Sequence, residues 1–459
     1  MPLVPVLADK LQESIRPGPA RTLTRRDARL PAVAGKVHSV IGMRRAGKTT
    51  FLHQLRDARR ATVPAERSIY LGFDDDRLAG IGVEQLDLLL EEYYRWYPEF
   101  RGQAVVHWFL DEIQMVPGWE RFCRRVIDTE RMELVVSGSS ARMLSREVHT
   151  SLRGRGMATV IRPFSFREYL RHRGEEPAAG PFRATPAARS SIEKRFREFL
   201  VEGGFPEVQG LPVATRVELL QGYVDVVLFR DVVERHSVSQ VEALRWLVRQ
   251  CLRNPAARFS AHRLFRDLQA QGLGVAKDMV HAMLAHLLDA FLLSGVPLAT
   301  DSERQRNSNP RTLYPIDPGL VAAFDRSGRS NVGHALETAV CNELERRGAE
   351  VSYVKTAEGF EVDFLARYPD GESELIQVCA DLSDPTTLER ELRALGAAGA
   401  VHRRARQRLL VLDRAAAGRA TQTGVDIHPA YEWMLAGPVM DEERSDDARR
   451  TGHARRRAR

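Results

Sequence analysis

From Val40 to Leu55 the chain reads VIGMRRAGKTTFLHQL, in which Gly42, four further residues and then Gly47-Lys48-Thr49 fit the pattern G-x-x-x-x-G-K-[ST]. The pattern restricts the fold severely, because such a loop curls around a phosphate chain only where a strand leads into a helix. The flanks meet that demand. KVHSVIG before the loop is a short β-prone apolar run, and after it Phe51, Leu52 and Leu55 recur at helical spacing. Gly42, Arg44, Arg45, Ala46, Gly47, Lys48, Thr49 and Thr50 are therefore the expected nucleotide-binding residues. Lys48 is expected to reach the β- and γ-phosphates, and the Thr49 hydroxyl to ligate Mg²⁺. A glycine-rich turn that only resembles the motif is the competing reading.

A second stretch, AVVHWFLDEIQ, is a buried-type strand that ends in Asp111-Glu112. Asp111 is expected to hold the Mg²⁺ through water, and Glu112 to polarise the attacking water as general base. The plain alternative is a solvated strand end. SIYLGFDDD and MELVVSGSS read as two more strands. The second ends in hydroxyl residues, so Ser137 or Ser139 is a candidate sensor of the γ-phosphate, with an ordinary serine-rich turn as the alternative. Arg153 and Arg155 lie in SLRGRG just before the apolar strand MATVI. Arginine suits a transferring phosphate, supplied within the subunit or by a neighbour, so both are catalytic candidates alongside Lys48, Glu112 and Ser139. In so arginine-rich a chain, ordinary surface arginines compete with that role. The expected class is α/β, a P-loop parallel sheet with helices on both faces.

GMRRAGKTT, WFLDEIQ, VVSGSS, SLRGR and RPFSFREYL, in that order and spacing, resemble the AAA-like ATPases of bacteria and archaea that carry a further C-terminal region. EGGFPEV (Glu202 to Val208) and LFRDVVERHSV (Leu228 to Val238) match the same group, so the resemblance runs from about Arg25 to beyond Gln377. It implies ATP with Mg²⁺ as the bound cofactors.

Beyond the expected helical extension the pattern changes. A helix opening at Ser260, a turn at Gly272, a second helix from about Val275, then FLLSGVPLA, a polar loop TDSERQRNSNPR and TLYPID give the order of a winged helix, which the resemblance also implies. The second helix, bearing Lys277, Asp278, His281, His286 and Asp289, is a poor surface for reading bases. Arg304, Arg306 and Arg311 in the wing loop are the expected phosphate contacts on double-stranded DNA. Docking of a protein partner, or an intramolecular cover, is the alternative use.

From Asn331 onward a helix, three strands and another helix resemble the restriction-endonuclease core. That fold uses an Asp, then a Glu-x-Lys, to hold a metal and activate water. Asp363 matches the first acid and Glu337 an accessory one, but the second acid falls on Gln377 and the lysine on Cys379. No lysine follows Lys355, so the domain reads as a nuclease fold used for binding or packing.

At 459 residues two or three domains are expected. The boundaries read as 1–170 for the ATPase core, 171–240 for a helical extension and linker, 241–328 for the winged helix, 329–435 for the nuclease-like α/β domain and 436–459 for a disordered charged tail. Arg173 to Ser191 reads as an exposed loop. Net charge is +7, yet lysine occurs only six times, so the excess is arginine. That bias fits a GC-rich genome as well as a DNA partner. The four scattered cysteines form no C-x-x-C pair and point to a cytoplasmic home, and no apolar run is long enough for a membrane span. The leading reading is an Mg-dependent ATPase that moves its downstream modules on DNA, as a homo-oligomer or an ATP-dependent dimer if an arginine is supplied in trans. The alternatives are a STAND-like switch acting on a protein partner and an ATP-gated DNA nuclease.

Overall fold

A computed structural model describes residues 2–16, 23–138, 152–178, 185–325, 331–418 and 424–436. Ser139 and residues 437–459 of the expected tail lie outside the described residues. Two compact units are assembled from interleaved segments. The first comprises Met1–Phe164, Gly204–Gln250 and Ala261–Ser294, and the second Ser165–Gly203, Cys251–Ser260 and Gly295–Arg459. The sequence reading expected contiguous domains instead.

In the first unit, β1 (Val37–Ile41), β2 (Ser68–Gly72), β3 (Val106–Asp111), β4 (Met132–Gly138) and β5 (Gly156–Val160) form one sheet in the order β2-β3-β4-β1-β5. Every neighbouring pair is parallel. Parallel strands joined by helical crossovers are covered on both faces, which is why they read as continuous apolar runs. Ile41, Trp108, Leu110, Leu134 and Val136 face one core with Leu7 and Leu11 of an N-terminal helix, Pro5–Ile15. Val40, Phe109 and Val135 face the other, against Phe51 and Leu52 of the helix Lys48–Arg60. The helix Val213–Val226, the π-helical turn Val227–Val233 and the helix Val241–Arg253 as far as Gln250 belong to the same unit.

The remaining strands are β6 (Arg258–Phe259), β7 (Leu293–Val296), β8 (Arg311–Pro315), β9 (Glu350–Lys355), β10 (Glu361–Arg367), β11 (Ser373–Cys379), β12 (Arg406–Val411) and β13 (Asp426–Pro429). β6, β8 and β7 make a small sheet, and the second unit's main sheet has the order β13-β12-β11-β10-β9. Its β9-β10-β11 part is antiparallel and its β11-β12-β13 part parallel. The helix Pro385–Val401 covers this sheet with Leu395 and Ala398.

Two local expectations are corrected. Pro186 to Ser191 is not loop but the start of the helix Pro186–Glu202, because the Thr185 side chain accepts the Ala188 N–H and Pro186 suits the first helical turn. The polar wing loop contains a short helix, Glu303–Ser308, whose first turn is capped by the Ser302 hydroxyl. Among the described residues no helix is long and apolar enough to cross a membrane.

Candidate nucleotide-binding site

The phosphate loop leaves β1 at Ile41 and enters its helix at Lys48, with backbone geometry that few residues tolerate. Gly42 has φ 144° and Gly47 φ 97°, and a Cβ on Gly42 would collide with the Ile161 carbonyl. Lys48 is buried, and its ammonium donates to the carbonyls of Gly42 at 3.1 Å and Met43 at 3.2 Å. Burial pushes its pKa down, while the carboxylates of Glu112 and Asp111 act the other way. Thr49 is exposed at the helix start and Thr50 lies behind it, half-buried.

β4 stands between β1 and β3, and this places the acidic residues beside the loop. Asp111 closes β3 and is buried. Its Oδ2 accepts from the Tyr70 hydroxyl at 2.7 Å, and its Oδ1 accepts from the Ser137 hydroxyl. The same Ser137 oxygen accepts the Glu112 backbone N–H at 3.1 Å. Glu112 is left-handed, with φ 52°, and its carboxylate accepts from the Gln114 side chain. A non-glycine residue held there is strained, and at a strand end such strain aims a side chain. Ser137, of the two candidate serines, thus joins both acidic residues. Thr49, at the start of the helix that follows the loop, and Asp111, at the end of β3, are oxygen donors of the kind that could hold a Mg²⁺ ion.

The candidate arginines are placed differently. β1 and β5 run parallel with Val37 opposite Gly156, so the chain just before Gly156 lies at the start of β1, not at its loop end. There the Arg155 carbonyl accepts the Val37 N–H at 2.8 Å, and Lys36 donates to the Gly154 carbonyl at 2.7 Å. The Arg155 side chain pairs with Asp128 at 2.9 Å, and Arg153 is exposed with φ 48°. Four strand residues separate this edge from the loop, roughly 13 Å at 3.3 Å per residue. Neither arginine reaches the phosphate site of its own chain.

Sequence reading missed three residues that do surround the loop. Arg26, buried, donates to the Ala46 carbonyl at 3.0 Å and to the Arg162 carbonyl. Glu207 meets Arg45 at 3.3 Å and accepts from the Tyr223 hydroxyl at 2.6 Å. Asp231 takes Arg44 in two bonds, at 2.8 and 3.3 Å.

In the second unit, Asp363, Gln377 and Glu337 do come together. The Gln377 side-chain oxygen accepts the Asp363 N–H at 3.2 Å, and an Asp363 oxygen accepts the Val378 N–H at 2.9 Å. The Gln377 amide donates to Glu391 at 2.8 Å, an acid on the following helix that the sequence reading did not single out. Tyr314 donates to Glu337 at 3.5 Å. Burial and the neighbouring carboxylates push Asp363 up to about 7 and raise Glu337 as well. Lys355 and Glu361 face each other across the β9–β10 edge, 3.6 Å apart. The Cys379 thiol donates to the Asp381 carbonyl at 3.1 Å. Among the wing arginines, Arg306 pairs with Glu350 at 2.7 Å, whereas Arg304 and Arg311 are exposed.

A β-strand, glycine loop and helix, with an acidic pair ending a strand one position removed in the sheet, define a P-loop nucleoside-triphosphatase core. Residues 34–170 match the profile of an AAA domain, and 193–331 that of a domain of unknown function. The chain is 32% identical over 375 residues to an uncharacterized protein of Methanocaldococcus jannaschii, covering 80% of each. An uncharacterized protein of Haemophilus influenzae is 25% identical over 350 residues, 76% of this chain and 83% of that one. The chain belongs to the AAA family of P-loop ATPases. Among solved structures, a Walker-type ATPase of Pyrococcus abyssi is 14% identical over 70% of this chain and 94% of its own, with a TM-score of 0.39. The ORC1 protein of Aeropyrum pernix, in complex with DNA, is 16% identical over 63% and 86%, with a TM-score of 0.29.

Proposed function

We propose that the chain binds Mg·ATP at Gly42–Thr50 and hydrolyses it with Glu112 as general base. The observation that carries this reading is the Ser137 hydroxyl, which links the Asp111 carboxylate to the Glu112 backbone beside the buried Lys48. Thr49 and Asp111 would hold the Mg²⁺, which supplies charge neutralisation at the phosphates when bound. Lys48 then exchanges its two carbonyl partners for phosphate oxygens. Glu112, released from Gln114, accepts a proton from the attacking water. Because Arg153 and Arg155 lie at the far edge of their own sheet, a role in hydrolysis requires them to act on a neighbouring copy, which makes an ATP-dependent oligomer part of this reading. The exposed Arg304 and Arg311 are the proposed contacts to double-stranded DNA.

Steady-state ATP hydrolysis with and without duplex DNA tests the proposal, with Glu112→Gln as control. Stimulation by DNA that weakens with salt and disappears in the variant supports a DNA-coupled ATPase. Tight binding with little turnover, indifferent to DNA, would favour a switch that acts on a protein partner. The engagement of both loop arginines by the segment after Gly204 gives that second reading its structural basis.

A further inference from the structure

Arg44 is placed unlike the other arginines near the site. Its guanidinium grips Asp231 through Nε at 2.8 Å and through Nη2 at 3.3 Å. Asp231 is almost wholly buried, at 1% side-chain exposure, while Arg44 keeps 35%. The carboxylate stands in the π-helical turn Val227–Val233, where the Glu234 N–H donates to the Phe229 carbonyl five residues back. A π turn is rare and commonly marks a functional position. Arg235, one turn on, also donates to Asp231, at 3.4 Å. Arg45, in contrast, is 61% exposed and pairs with the half-exposed Glu207.

Arg44 stands among the residues proposed above to handle the phosphates. It follows Met43, whose carbonyl holds the Lys48 ammonium. Burial works against its charge, but Asp231 and, further off, Glu112 keep it firmly cationic. Lys48 in turn lies within the fields of both Arg44 and Asp231. A guanidinium fork that fits a carboxylate in two bonds fits two phosphate oxygens equally well.

We propose that Arg44 is the residue by which this loop distinguishes a triphosphate from a diphosphate, and that Asp231 is its positioning residue, competing with the terminal phosphate for the same guanidinium. The inference rests on the reading of the site as an ATP site and adds to Lys48 a second cation of the same chain, one whose response to the γ-phosphate is tied to a carboxylate on a helical turn. When the γ-phosphate takes the fork, Asp231 is left to Arg235, and the turn Val227–Val233 receives the nucleotide state directly. When it leaves, the clasp closes again. Neither step makes or breaks a covalent bond.

Calorimetric binding of Mg·ADP and of the Mg complex of β,γ-imido-ATP to the full chain tests this, with Arg44→Ala, Arg44→Lys and Asp231→Asn. Arg44→Ala is expected to weaken the triphosphate analogue by about tenfold, the scale of a charge-assisted bond, and ADP by less than about twofold. Asp231→Asn, which removes the competitor, is expected to raise the preference for the triphosphate. Arg44→Lys should abolish most of that preference, because a single ammonium cannot grip in two bonds. If both nucleotides shift together in every variant, the pair is only a clasp that holds the helical segment, and the inference is overturned. If the unaltered chain binds neither nucleotide, the reading of the site fails and takes the inference with it. Should Asp231→Asn not fold, the two Arg44 variants, made at a partly exposed side chain, decide alone.

Discussion

A methyl group on Gly42 has nowhere to go, since its place is taken by the Ile161 carbonyl and its φ of 144° is hostile to any side chain. Gly42→Ala is expected to cost about 2 kcal/mol or more in stability and to abolish nucleotide binding, read from urea melts and calorimetry. Ser137→Ala removes one hydroxyl that serves two partners, and it leaves the buried Asp111 oxygen short of a donor. The expected result is a loss of about 1–3 kcal/mol in stability, with hydrolysis falling further than ATP affinity. The glycines, Lys48 and the acidic pair were legible because their spacing is local and has a physical reason. Asp231 and Glu391 were not: Asp231 lies in LFRDVVERHSV, a stretch that marks the group without assigning a role to any one acid, and Glu391 is one acid in a helix with no motif around it. A signal was nevertheless there. Asp231 shares its stripe with the buried Val227, Leu228 and Val232, and Glu391 with Ala394, Leu395 and Ala398. A carboxylate on an apolar face must be paired, and in both helices the partner belongs to a candidate site.

At the level of elements, strands covered on both faces announced themselves as apolar runs, and the expected strand positions hold from β1 to β5. The helix Pro186–Glu202 was less legible, because its apolar face is satisfied by residues far along the chain. Phe196 packs edge-on against Phe166, ring centroids 5.0 Å apart, and also against Tyr431 at 5.8 Å. Phe196→Ala should destabilise the second unit by about 3–5 kcal/mol, measured by chemical denaturation. The sheet of that unit carries a pH dependence of its own. Asp363 sits where the β9–β10 register slips between Val362 and Leu365, and burial raises its pKa to about 7. In the unfolded chain it titrates near 4, so the native state binds the proton more tightly. Its contribution to stability is therefore complete below about pH 4 and is lost as the pH rises through 7. Denaturation midpoints at pH 5 and pH 8 should show this decline, and Asp363→Asn should reduce it, leaving the share that belongs to Glu337, whose pKa burial also raises.

For the whole molecule, nucleotide and stability are linked by mass action. At a hundredfold excess over its dissociation constant, ATP should add about 2.7 kcal/mol to the unit that holds the loop, seen as a shifted thermal transition that Lys48→Ala abolishes. The interleaving of the two units was the least legible feature, since it depends on contacts no local pattern records. It also bears on how the chain is made. All the segments of the first unit have been synthesised once Ser294 is added, but the second unit still lacks the helix Ala430–Ala436 at that point. Phe196 is made 235 residues ahead of the Tyr431 that covers it. At about 5–20 residues per second that interval is roughly 10 to 50 s. During that time Phe196 has Phe166 beside it but lacks the Tyr431 ring, so the aromatic cluster of the second unit is completed only by the helix Ala430–Ala436.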